Sequence, residues 1–123
     1  MVARRFLPDN CFAMGGVLLE KIEELIHAPA PTEASLERTL TDGYALALAL
    51  EGKRWRLHRE LGEVAAGLSD GDSERVRQVS TLARKLAQTD GDLARLRERL
   101  AALRRRARDL RALEPAPQQS ASA

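Results

Sequence analysis

The sequence predicts an all-α fold, a long coiled-coil-like antiparallel helical hairpin with a short N-terminal helix packed on it, and three observations carry that prediction. From Leu36 to Leu68, apolar and small residues recur at alternating spacings of four and three, the a/d pattern of a helical seam. From Val79 to Leu110 the pattern runs again in an unbroken frame. Between the two stripes stands Ser69-Asp70-Gly71-Asp72, a cluster of residue types that reverse chain direction readily.

A hairpin has to align both stripes in one fold-back. When paired residue numbers sum to 143, Val64 meets Val79, Leu57 meets Leu86, Leu50 meets Leu93, Gly43 meets Leu100 and Leu40 meets Leu103. Each layer joins an a position to a d position, as antiparallel packing needs. Gly43 and Ala47 fall opposite leucines, so large and small residues alternate across the seam. One layer is polar, with Arg54 opposite Thr89 and Asp90 and Asp92 close by. Such a layer costs stability but penalises slipped pairings, which makes Arg54 and Thr89 a register-setting pair. The rival reading is a surface-reaching Arg54 and a break in the second helix at Thr89-Asp90-Gly91-Asp92, where Thr or Asp would cap a fresh start.

Composition agrees with this architecture. Aromatic residues make up 3% of the chain and charged residues 31%, a balance that belongs to long helices and not to a large aromatic core. At 123 residues the chain is one domain with little room for a catalytic cleft. A net charge of +2 excludes a polycation, so any attraction to phosphates must come from a local patch. Cys11 is the only cysteine, which excludes an internal disulfide and points to a reducing cytoplasm.

Taken in order, residues 1–16 lack periodicity and contain Pro8 and Gly15-Gly16, so an irregular N-terminal arm is expected. Arg4-Arg5 is followed by Pro8, Asp9 and Asn10 where the apolar stretch of a signal should begin, so no secretion signal is expected. Residues 17–26 form a short amphipathic helix, with Leu18, Ile22, Leu25 and Ile26 on one side. Ten residues do not hold a helix alone in water, so this face must dock. Residues 27–32 are a linker stiffened by Pro29 and Pro31, and Thr32 is the N-cap of the first long helix. The hairpin spans 33–113, with its turn near 69–72, and 114–123 is expected to be a disordered tail after Glu114-Pro115. No apolar run approaches the ~20 residues that cross a bilayer.

Two surfaces stand out. Tyr44 to Leu50 is apolar at nearly every position, and Leu48 and Trp55 lie seven residues apart, off the seam stripe, with Gly52 between them. Tyr44, Leu48 and Trp55 therefore form a candidate partner or dimer surface, since a small protein rarely leaves such a patch uncovered. Intramolecular cover by Phe6, Leu7, Phe12 and Met14 is the competing account. The second surface is the arginine-rich end of the second helix. Arg97, Arg104, Arg105, Arg106, Arg108 and Arg111 form a candidate nucleic-acid patch, opposed by the reading that they pair across the seam with Glu33, Glu37 and Asp42. No aromatic residues interleave with them to stack bases.

Catalytic chemistry finds no foothold in the sequence. It contains no nucleophile paired with a base, no glycine-rich phosphate loop and no metal-ligand spacing, and His27 and His58 stand far apart. The two Asp-Gly-Asp phrases lack the alternating acidic positions of a calcium loop. The expectation is thus a non-enzymatic protein without cofactor or metal. It would act as a cytoplasmic protein–protein interaction module, adaptor, scaffold or chaperone-like, that self-associates. In shape, the paired stripes resemble the helical hairpins of small bacterial adaptors and export chaperones. The alternative is a nucleic-acid-associated protein acting through the terminal arginines, and attachment to a membrane surface through 17–26 ranks last because that helix carries an acid-rich polar face.

Overall fold

The computed structural model describes residues 11–68 and 71–113, with side chains from Gly16 onward. Three helices are present among them: α1 (Cys11–His27), α2 (Glu33–Ala66) and α3 (Ser73–Leu113). The two long helices pack against each other and α1 packs on them, so the chain is an all-α helical hairpin. Residues 1–10 of the expected arm, the 114–123 tail, and Ser69 and Asp70 of the turn lie outside the described residues.

The start of α1 differs from the sequence reading. α1 begins at Cys11 and runs through Gly15 and Gly16, where an irregular arm was expected up to position 16. A glycine inside a helix costs only about 1 kcal/mol relative to alanine. Extending a helix that is already anchored adds one hydrogen bond per residue, so two glycines do not stop it.

The described chain divides into two compact units, one built from the residues up to Gly43 together with those from Arg99, the other from Tyr44 to Glu98. In the first unit, the apolar side of α1 closes over the open end of the hairpin. Ile22 and Leu103 are both 0% exposed, and Leu25, Leu36 and Leu100 are buried with them. The side chain of Leu100 occupies the space beside Gly43 that a Cβ would fill, which places this layer in the expected register. Thr39 is also buried, a core position off the a/d stripe that the seam pattern does not mark.

Arg106 ties α1 down. Its guanidinium donates to the carbonyl oxygens of Ile26 at 3.2 Å and Ala28 at 2.5 Å, orphan acceptors at the C-terminal end of α1 where a positive charge is favoured. Arg99 pairs with Glu23 of α1 at 3.0 Å, and Arg111 pairs with Glu33 of α2 at 3.2 Å. At the start of α2, Thr32 Oγ1 accepts from the Ser35 backbone N–H at 3.0 Å, the N-cap expected from sequence.

The second unit holds the closed end. Leu57, Leu82 and Leu86 form its cluster with Leu61 and Val64 packed against it, and Ala47, Leu50, Leu93 and Leu96 are buried further along the seam. α2 stops at Ala66, short of Leu68, which is exposed and does not join the seam. Gly71 has φ +84°, the left-handed conformation that L side chains rarely adopt, and it is the only described residue with positive φ. Asp72 then caps α3 by accepting from the Arg75 N–H at 3.2 Å.

α3 is continuous from Ser73 to Leu113, so the break weighed at Thr89-Asp90-Gly91-Asp92 does not occur. Thr89 is buried at the seam, where its hydroxyl donates to the Lys85 carbonyl one turn earlier at 2.9 Å. Back-bonding within the helix removes the need for a capping break.

Candidate interaction surface

The heptad frame that buries Leu50 and Leu57 carries Leu48 and Trp55 off the seam stripe of α2. Leu48 is 71% exposed, Trp55 60% and Tyr44 43%, while Leu36, Leu50 and Leu57 of the same helix are buried. Gly52 lies between Leu48 and Trp55, and one turn beyond the indole the Arg59 guanidinium sits 4.7 Å from the ring centroid. That contact holds one face of the indole in a cation–π arrangement. Arg59 was not singled out from sequence, although its i,i+4 spacing from Trp55 is the signal that would have found it.

Beside this ridge runs a shallow groove between α2 and α3, lined by Trp55, Leu93 and Ala94 and rimmed by charges. Arg54 Nε and Asp90 Oδ1 lie 2.5 Å apart across it, and Arg97 pairs with Glu51. The polar layer is thereby divided. Arg54 is exposed and bonds Asp90, whereas the adjacent Thr89 is buried and bonds its own helix. Both ion pairs are half exposed and are worth about 0–1 kcal/mol each, so they orient the two helices more than they hold them.

The arginine-rich end of α3 looks different in three dimensions. Arg97, Arg106 and Arg111 are committed to Glu51, to the end of α1 and to Glu33 respectively. Arg104 is exposed and engaged in an interaction within the chain. Arg105 and Arg108 are exposed and make no hydrogen bond or ion pair among the described residues. Of the acidic partners expected from the seam, Glu33 is found opposite Arg111, and Glu51 and Glu23 take the roles foreseen for Glu37 and Asp42.

No group of three or more His, Cys, Asp or Glu arranged to hold a metal ion occurs among the described residues. No helix among them is long and apolar enough to cross a membrane. Fold and surface together define an all-α helical-hairpin protein with an exposed aromatic-aliphatic ridge. Comparisons with protein-family models, with curated proteins and with solved structures return no match.

Proposed function

We infer that this protein is a non-catalytic interaction module of the cytoplasm that binds protein through the α2 ridge of Tyr44, Leu48 and Trp55. The observation that carries the reading is the exposure of Leu48 and Trp55 on a helix whose seam residues Leu36, Ala47, Leu50 and Leu57 are buried. Exposing a leucine and a tryptophan forfeits roughly 1.5–3 kcal/mol apiece relative to full burial. Tryptophan and tyrosine are also the residue types in which interface energy concentrates. The nucleic-acid reading draws on Arg105 and Arg108, and the other four of its six arginines, Arg97, Arg104, Arg106 and Arg111, are already engaged within the chain.

The test places a photoreactive residue at position 48 of the protein in living cells. A protein adduct that disappears when Trp55→Asp is introduced is the expected result. The inference fails when no adduct forms, with a second copy or with any other protein, while the protein remains folded.

A further inference from the structure

We propose that the cleft between α1 and the first turns of α2 binds a small phosphomonoester, its phosphate held by Lys21, Ser35, Arg38 and Thr39. The cleft lies within the first unit and encloses about 350 Å³. It shares no residue with the α2 ridge and does not rest on the interaction reading.

Thr39 is the observation that points to a ligand. It is only 4% exposed, yet its hydroxyl makes no hydrogen bond among the described residues. Thr89, as deeply buried in α3, shows the ordinary solution, a bond donated to the carbonyl one turn earlier. Thr39 leaves that bond unmade and lines the cleft. Among the described residues the one buried side-chain polar atom both sealed from solvent and without a partner is Arg106 Nε, so the Thr39 oxygen is open to the cleft. Holding a buried hydroxyl without a partner is a cost that a ligand oxygen accepting from it removes.

The charges around Thr39 fix the sign of the ligand. Lys21 from α1 and Arg38 from α2 line the same cleft, and neither makes an ion pair among the described residues. The N-terminal turn of α2 adds its positive end of the helix dipole. Ser35 in that turn gives its backbone N–H to Thr32 Oγ1 but leaves its hydroxyl unbonded among the described residues. Glu33, the acid of the same turn, pairs with Arg111 and does not line the cleft. Two cations and two hydroxyls on one site outnumber the two oxygens of a carboxylate and suit the three oxygens and near-double charge of a phosphomonoester. Leu18 and Asp42 line the rest of the cleft. Asp42 lies about 10 Å beyond Ser35 along the helix at 1.5 Å per residue, so it faces the organic part of the ligand and not its phosphate.

The experiment titrates the full chain with inorganic phosphate at constant ionic strength, with chloride as the reference, and follows backbone amide shifts by NMR. Saturable shifts confined to residues around Lys21 and in the stretch 33–42 are the expected result. Lys21→Gln and Arg38→Gln each weaken binding about tenfold, as loss of one charge-assisted hydrogen bond does. Thr39→Val weakens it as well and leaves the phosphate-free protein at least as stable to urea, because in the free protein the hydroxyl has no bond to lose. The double variant Arg105→Gln with Arg108→Gln binds phosphate as the parent does, since those arginines stand outside the cleft.

Shifts no larger than chloride produces overturn the proposal. So does binding that survives Arg38→Gln and Thr39→Val, or that is lost with Arg105→Gln and Arg108→Gln and so belongs to the outer face of α3. A phosphate-free Thr39→Val protein less stable than the parent overturns it too, by showing that the hydroxyl already has a partner within the fold.

Discussion

Replacing Gly43 by alanine sets two effects of known size against each other, and Gly91 provides the control. Both glycines lie inside helices without positive φ, so alanine at either gains about 1 kcal/mol of intrinsic helix preference. At Gly91 a Cβ meets nothing within 4 Å, so the gain is realised in full. At Gly43 the Cβ lands on the Cδ2 methyl of Leu100, with Cγ at 3.2 Å and Cδ1 at 3.4 Å. Leu100 is 2% exposed, so that methyl has no solvent side to rotate into. Overpacking of this kind costs roughly 1–3 kcal/mol, which leaves Gly43→Ala destabilised by about 0–2 kcal/mol. The two variants therefore separate by the overpacking cost alone, about 1–3 kcal/mol, or roughly 4–8 °C of Tm for each kcal/mol. Thermal and urea unfolding followed by circular dichroism, at one fixed protein concentration, measures the gap. Equal stability of Gly43→Ala and Gly91→Ala would refute the packing argument at Leu100. A destabilised Gly91→Ala would refute an α3 continuous through that position.

Two further substitutions probe the joints of the fold. Arg106→Ala removes two charge-assisted hydrogen bonds to the end of α1, worth ~1.5–3 kcal/mol each at most, and Arg106→Lys restores only part because an ammonium does not span both carbonyls. Hydrogen exchange across α1 is expected to accelerate while the 57–86 region keeps its protection, and unchanged α1 exchange would show that Arg106 does not hold it. Thr89→Val keeps shape and leaves no orphan donor, since the hydroxyl bonds only the Lys85 carbonyl, so urea unfolding is expected to move by less than about 1 kcal/mol. A larger loss would support the register-setting role of Thr89.

The helical seam was legible in the sequence because its signal is local and periodic. Helix geometry converts spacings of three and four into one face, so the buried set of Leu50, Leu57, Leu82, Leu86, Leu93, Leu96 and Leu103 follows from counting. The turn was legible for a related reason, since Gly71 occupies a backbone region that other residues rarely adopt. The ridge of Leu48 and Trp55 showed itself as an apolar residue pair out of frame. Local patterning reveals which face a side chain occupies, but not whether anything covers it.

What only the tertiary structure decided concerns residues whose roles depend on distant neighbours. Arginine-rich sequence looks alike whether it waits for phosphate or is already spent, and only the fold brings Arg106 to the end of α1, Arg99 to Glu23 and Arg97 to Glu51. The extension of α1 through Gly15-Gly16 is propagation from a helix anchored at Ile22 and Leu25, and the burial of Thr39 likewise follows from tertiary packing, which leaves no mark in local propensity. The sequence by itself determined the helices, their seam and their pairing, because those rest on periodicity. Which charges are consumed and which apolar face stays bare were decided by tertiary contacts, because pairing energies act between residues that the chain separates and the fold brings together.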